Sequence, residues 1–270
     1  MSPIRALVLT GFGLNCDEET AYALEVAGAS VARVHLNSLI AGEKALSDFQ
    51  IFVVGGGFSW GDDHGAGVIL AMRLKHRLQD DLLDFVARDR LVLGICNGFQ
   101  VLVNLGLLPL FDAGQFRREV ALLHNDCGGF RDQWVHLAIN SDSPCVFTRG
   151  LDHIELPIRH GEGKFYAEEE VFKRLVHQGQ IVLRYANPEG RPADGAFPAN
   201  PNGSVGDVAG ICDPTGRIFG LMPHPEAFNH STNHPEWTYL REQCRRAGQA
   251  WPTEGAGIRL FRNAVEFLQQ

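Results

Sequence analysis

Through the first third of the chain, short unbroken apolar runs alternate with longer stretches of helical period. Residues 5–10 (RALVLT), 30–36 and a run within 48–54 (DFQIFVV) read as strands of the buried, parallel type. Between the first two, Cys16-Asp17-Glu18-Glu19 opens a helix to about Ala27. Acidic residues crowd its first turn, Gly28 ends it, and Asn15 or Asp17 is placed to cap it. Residues 67–88 carry Leu70, Leu74, Leu78, Leu82 and Phe85 on one stripe, which reads as core. Leu91 to Ile95 is another strand, followed by a turn and an apolar helical segment at 99–108. This alternation calls for a parallel sheet with helices on both faces.

Beyond Pro109 the pattern changes. Residues 119–125, 133–140 and 154–158 read as short strands without obvious long helices between them, an antiparallel section added to the parallel sheet. Residues 185–206, rich in Pro, Gly, Asn and Asp, read as a long loop. Residues 208–212 and 217–222 form a hairpin about Asp213-Pro214-Thr215-Gly216. Residues 227–257 are polar and aromatic, with a short helix expected at 240–247, and residues 258–268 are an amphipathic helix. No repeat, low-complexity segment or long linker divides the chain, which is taken as one domain over 1–270 with a polar insertion at about 227–257.

The turn after the Leu91 strand carries the first chemistry. In Gly94-Ile95-Cys96-Asn97-Gly98, an apolar strand stops, a cysteine follows, and a helix begins. Small residues on both sides leave room for a strained backbone at Cys96, the logic of a nucleophile elbow with Cys in place of Ser. A helix N-terminus there favours a thiolate. A buried structural cysteine is the alternative. Gly55-Gly56-Gly57 closes the third strand. It lacks the Lys and Ser/Thr of a phosphate loop, and is read as an oxyanion-binding turn or as a flexible loop.

Composition narrows the classes. The 270 residues are 45% hydrophobic and 21% charged, ordinary for a globular chain. A net charge of −8 argues against nucleic acid as the main partner. No run of about 18 apolar residues suggests a membrane span. The first residues lead almost directly into a strand without a signal-peptide hydrophobic region, so a cytoplasmic location is expected. The cysteines at 16, 96, 127, 145, 212 and 244 form no CxxC pair, are expected to be free thiols, and suggest no metal framework.

A cysteine nucleophile needs a base, and the base an orienting group. Of eleven histidines, His224 is favoured by position, because it lies just beyond an apolar strand as Cys96 does. Glu226 lies two residues on and would face the same way in an extended segment, which the flanking Pro223 and Pro225 favour. His234-Pro235-Glu236 repeats the tripeptide, but no strand precedes it and nothing in the sequence fixes its position. His224, His230 and His234 match no zinc spacing and are better explained by a polar surface.

Gly94-Ile95-Cys96-Asn97-Gly98-Phe99-Gln100 and Met222-Pro223-His224-Pro225-Glu226 resemble the nucleophile and His–Glu motifs of the class I (triad) glutamine amidotransferases. Gly56-Gly57-Phe58-Ser59-Trp60-Gly61-Asp62, His160-Gly161-Glu162-Gly163-Lys164-Phe165-Tyr166 and Asn202-Gly203-Ser204 with Asp207-Val208-Ala209-Gly210-Ile211 are similar, within that superfamily, to the glutaminase subunits of phosphoribosylformylglycinamidine synthase. Gly55, Trp60 and Ala227 depart from that pattern, where Pro, Tyr and Arg are usual. The resemblance implies an α/β three-layer sandwich with a mostly parallel, flavodoxin-like central sheet and an antiparallel extension. It also implies hydrolysis of glutamine through a Cys96 thioester, with His224 and Glu226 completing the triad. Gly57, Phe58 and Asn97 would supply the oxyanion site, and Gln100, His160 and Gly161 would help bind glutamine. No cofactor or metal is implied in this chain. ATP and magnesium are expected on a separate large synthetase that takes the ammonia for purine biosynthesis, with or without a small bridging subunit. The alternatives are an amidotransferase serving another synthetase, a cysteine-elbow hydrolase of another substrate, and a non-catalytic regulatory subunit.

Overall fold

The runs that are apolar on both faces become the middle of one nine-stranded sheet. The structure, a computed structural model, describes residues 3–112 and 116–270. The reading of the extreme N-terminus therefore falls partly on Met1 and Ser2, outside the described residues. In chain order the first half gives β1 (Arg5–Thr10), α1 (Asp17–Val26), β2 (Ser30–His35), α2 (Leu36–Ile40), β3 (Ile51–Val54), α3 (Val68–Ala87), β4 (Leu91–Ile95) and α4 (Asn97–Leu105). The second half gives β5 (Val120–His124), β6 (Arg131–Ile139), β7 (His153–His160), β8 (Glu162–Ala167), α5 (Glu169–His177), β9 (Ile181–Ala186), β10 (Val208–Cys212), β11 (Ile218–Leu221), α6 (Trp237–Arg246) and α7 (Ile258–Leu268).

The sheet order is β2-β1-β3-β4-β11-β10-β9-β6-β7. From β2 through β11 every pairing is parallel, in the 2-1-3-4-5 pattern of flavodoxin-like sheets. From β11 outward every pairing is antiparallel. The expected α/β fold with an antiparallel extension is what the chain adopts. Every residue of β3, β4, β10 and β11 is buried. Four of the helices form two packed pairs, α1 with α7 and α3 with α4, as a three-layer sandwich requires. The α3 stripe is core as read: Leu70, Leu74, Leu78, Leu82 and Phe85 are all buried.

Several local expectations are corrected. Neither Asn15 nor Asp17 caps α1. Cys16 holds the N-cap position without a side-chain bond to the helix, while Asp17 pairs with Arg33 at 3.1 Å. Residues 169–177, to which the sequence reading assigned no element, form α5, a charged helix with a single buried residue, Leu175. The loop expected from 185 starts later, because Tyr185 and Ala186 complete β9 and Tyr185 is wholly buried. β5 and β8 stand apart as a two-stranded antiparallel ribbon. Within 227–257, α6 begins earlier than expected and buries none of its residues.

Candidate active site

Cys96 and His224 emerge from the same ends of neighbouring parallel strands. β4 and β11 run in register, Leu221 beside Ile95, so the residues that follow each strand meet above the sheet. Cys96 has φ 50° and ψ −105°, a conformation costly for any residue with a Cβ. It is held there from several sides. Its amide donates to Leu221 O at 2.8 Å and its carbonyl accepts from Gln100 N at 3.1 Å. The strain also needs close packing underneath. A Cβ on Gly98 would lie 1.8 Å from Val54 O, so α4 rests directly on the end of β3 only because that position is glycine. Cys96 is 5% exposed, and its thiol faces Arg159 O at 3.6 Å.

The His224–Glu226 contact is as expected, but its geometry is not. Residues 225–227 form a turn of 3-10 helix instead of an extended segment. The turn folds the carboxylate back onto the ring, and Nδ1 and Oε1 are 2.6 Å apart with both side chains almost fully buried. The His224 amide donates to Pro157 O at 2.8 Å, which ties the segment to β7. Burial pushes the His224 pKa down, but Glu226 and Cys96 together with the nearby Cys16 thiol outweigh it and hold the ring well above the usual histidine value. Nε2 is buried without a hydrogen-bond partner among the described residues.

The glycine turn is fastened to the elbow by Asn97. Its Oδ1 accepts from Ser59 N at 3.2 Å, and its Nδ2 donates to Asp62 Oδ1 at 3.1 Å and to Gln100 Oε1 at 3.0 Å. Gly57 has φ +143° and lies against Gly13 O, where no side chain fits. The Phe58 N–H donates to Gly13 O at 2.9 Å. Of the two turn amides expected to face an oxyanion, this leaves Gly57 N–H free of any partner among the described residues. The Asn97 N–H, at the first position of α4, is the second.

Gln100 is buried, with Oε1 held by Asn97 and Nε2 donating to Glu162 O, so its amide braces the site. His160 is also buried. Its Nδ1 lies 3.1 Å from Asn125 Oδ1, and a Cβ on Gly163 would strike its ring. Burial, with His224 nearby, lowers the His160 pKa to about 3, so the ring is neutral. Gly161 O accepts from Asn125 N at 2.9 Å. Gly161 and Phe58 border a cleft of about 540 Å³ that also takes in Asp62, Asn125, Phe130 and Glu162. Burial raises Asp62 to about 6, and the Glu162 carboxylate adds to the rise against the Asn97 and Gly67 hydrogen bonds. A larger cleft, about 750 Å³, lies around His136, His234 and Arg259 and contains none of the candidate site residues.

The repeated tripeptide has a different environment. His234 is 5% exposed and packs on Trp134 and Phe228, which corrects both the polar-surface reading and the expectation that nothing fixes it. Its Nε2 faces Glu155 at 3.1 Å, and its Nδ1 accepts from the backbone N–H of Glu236. The Glu236 carboxylate does not pair with the ring. Residues around the site to which the sequence reading gave no role in it are Cys16, Asn125, and the motif residues Asp62 and Glu162. All six cysteines are free thiols, and the Cys16 thiol lies beside His224 and Glu226.

Residues 3–268 match a family model described as a CobB/CobQ-like glutamine amidotransferase domain. A relative from Methanococcus maripaludis, phosphoribosylformylglycinamidine synthase subunit PurQ, is 46% identical over 267 residues, covering 98% of this chain and 98% of the relative. The protein of that name from Dehalococcoides mccartyi is 41% identical over 272 residues, covering all of both chains. A chain in the solved structure of PurLQS from Thermotoga maritima superposes with a TM-score of 0.70 at 29% identity, covering 99% of this chain and 100% of that one. Among the described residues no helix is long and apolar enough to cross a membrane.

Proposed function

Since the chain belongs to the CobB/CobQ-like glutamine amidotransferase family, we propose that it is the glutaminase subunit of a phosphoribosylformylglycinamidine synthase. It releases ammonia from glutamine for a separate ATP-dependent synthetase of purine biosynthesis. The observation that carries the chemistry is the meeting of Cys96 with the His224–Glu226 pair at the ends of adjacent parallel strands. The whole of 1–270 serves as one catalytic domain, with 227–257 as an appended segment.

In this reading His224 takes the Cys96 thiol proton through Nε2, the nitrogen that Glu226 leaves free. Sulfur attacks the side-chain carboxamide carbon of glutamine. The oxyanion is received by the N–H groups of Gly57 and Asn97, and each such donor contributes on the order of 3 kcal/mol. The imidazolium protonates the departing nitrogen, ammonia leaves, and a thioester remains on Cys96. His224 then takes a proton from water, hydroxide attacks the thioester, glutamate leaves, and the His224 proton returns to the Cys96 sulfur. Glu226 holds the tautomer and stabilises the imidazolium each time it forms. Gln100 and His160 act by bracing Asn97 and Gly161. The cleft by Gly161 receives the amino-acid end of glutamine, where the carboxylates of Asp62 and Glu162 suit an ammonium group. ATP and magnesium belong to the partner synthetase, which docks directly or through a small bridging subunit.

The test is glutamate and ammonia release by the wild type and Cys96→Ala, with and without the synthetase. Loss of both products in Cys96→Ala is expected, together with stimulation of the wild type by the synthetase. Full activity in Cys96→Ala would remove the mechanism. A glutaminase that the synthetase never stimulates would remove the pathway assignment.

A further inference from the structure

Cys16 is the feature of the site that the glutaminase reaction leaves without a task. Its Sγ, a ring nitrogen of His224 and a carboxylate oxygen of Glu226 all lie within 4.8 Å of one another. Cys16 is fixed there by its backbone. Its amide donates to Gly56 O at 3.3 Å, and its carbonyl accepts from Thr20 N at 3.1 Å and Thr20 Oγ1 at 2.6 Å. The space between the thiol and the ring exists because residue 56 is glycine. A Cβ there would lie 2.8 Å from His224 Cε1 and 3.1 Å from Cys16 Sγ. Glu226 adds a second, independent sign of an unfilled demand, because Oε2 is buried with no hydrogen-bond partner among the described residues and the residue is 1% exposed. Cys16 itself is part-exposed, which gives a path from solvent.

We propose that Cys16, His224 and Glu226 form a capture site for a thiophilic divalent cation, zinc above all, and that its occupancy switches the glutaminase off. A thiolate, an imidazole and a carboxylate are the donors zinc takes, and three protein ligands leave the fourth tetrahedral position to water. Bond lengths of ~2.0–2.3 Å set donor atoms roughly 3.3–3.8 Å apart on a tetrahedral ion. The three donors therefore need side-chain shifts of only about an ångström, with the backbone left in place. On binding, the Cys16 thiol gives its proton to solvent and its sulfur becomes a thiolate ligand. The proton on His224 Nδ1 moves to Nε2 as Nδ1 binds the ion, and the Glu226 carboxylate, released from its hydrogen bond to Nδ1–H, turns to the metal. A ring held in this way cannot relay the Cys96 proton, so inhibition follows. Cation capture itself is independent of the reaction assigned to the site, whereas the inhibition rests on the glutaminase reading.

The test uses chelator-treated full-length protein and zinc alone, by calorimetry, with cobalt(II) as a second probe for its thiolate-to-metal absorption band. The wild type is expected to bind one ion and to lose glutaminase activity in parallel, with recovery on adding chelator. Cys16→Ser and Cys16→Ala are expected to weaken zinc binding by at least roughly 10–100-fold, the loss that even an outer-shell partner brings, and added zinc should no longer lower whatever activity each variant shows without metal. Cys96→Ala is expected to bind zinc as the wild type does and to keep the cobalt thiolate band. Cys127→Ser and Cys244→Ser control for thiols elsewhere. If Cys96→Ala loses binding while both Cys16 variants keep it, the site is the wrong one and the proposal falls. It also falls if the wild type shows no thiolate band with cobalt. Zinc binding that depends on Cys16 in a protein without glutaminase activity would sink the functional reading and leave the metal site standing.

Discussion

Replacing Glu226 with Gln tests whether the buried pair does its work through charge. The amide oxygen of Gln can still accept the Nδ1–H of His224, so orientation is largely kept and the negative charge is lost. The two groups are 2.6 Å apart at their nearest atoms and are 3% and 1% exposed, so solvent screens them little. With charge centres about 4 Å apart and an effective dielectric constant of about 20, the attraction between carboxylate and imidazolium is ~4 kcal/mol. If it operates whenever His224 carries the proton, its loss lowers the rate by about 10³. Glutamate release with the synthetase present should therefore fall by that order in Glu226→Gln. Thermal stability should fall as well at pH values where His224 is protonated, since the buried imidazolium loses its partner. With the Glu226 field gone, burial dominates at His224, and its Cε1–H resonance should titrate at lower pH than in the wild type. Glu236→Gln is the internal control and should leave the rate unchanged, because that carboxylate does not face His234. A Glu226→Gln enzyme within about tenfold of wild type would refute the electrostatic account, since tenfold corresponds to only 1.4 kcal/mol.

His234→Ala removes a ring packed on Trp134 at 4.7 Å and bonded to Glu155, so a loss of about 2–4 kcal/mol is expected, or roughly 4–7 °C in Tm. A thermal scan measures that loss, and glutaminase assays well below Tm should show unchanged turnover. Gly98→Ala drives a methyl into Val54 O and should cost about 1–3 kcal/mol or more while displacing the elbow. Melting temperature and turnover should both fall. Asp62 has a folded pKa of about 6 against an ordinary 3.8, so the native state holds its proton more tightly than the unfolded chain. Its contribution to stability is full below about pH 4 and is lost as pH rises through about 6. Tm measured from pH 4 to 8 should therefore decline in the wild type relative to Asp62→Asn between pH 4 and 6, with a constant gap above. A pH-independent gap would mean that Glu162 and burial do not act on Asp62 as described.

The parallel half of the fold was legible because its strands are buried on both faces. An unbroken apolar run such as Ile51-Phe52-Val53-Val54 has few alternatives, and α3 and α7 show one-sided stripes. Legibility fails where burial is one-sided or slight. α5 has only Leu175 in the core and reads as a charged surface stretch, while α6 buries nothing at all. β8 begins inside Glu162-Gly163-Lys164, where glycine suggests a turn. A Cβ on Gly163 would strike the ring of His160 three residues earlier, a close contact that hydrophobic periodicity does not register. The missed Cys16 is of the same kind. It sits at the start of α1, 80 residues from Cys96 by number, and nothing local reveals that Gly56 opens a space joining it to His224.

The two His-Pro-Glu tripeptides show what spacing does and does not determine. The expected i, i+2 contact rested on extended backbone, yet the contact forms in a 3-10 turn. What selects the first copy is its position after β11, beside β4, with the His224 amide pinned to Pro157 O. That register buries the ring and carboxylate together, and burial without water compels them to satisfy each other. In the second copy the same three residues follow a 3-10 turn at 231–233, the backbone N–H of Glu236 takes Nδ1, and Glu155 on β7 satisfies Nε2. His234 is thus saturated by structural partners on both nitrogens, whereas His224 keeps Nε2 without one. A base must have a nitrogen left to receive a proton. By that criterion the chemistry separates two identical motifs, and the strand preceding His224 was the one sign of the difference that the sequence carried.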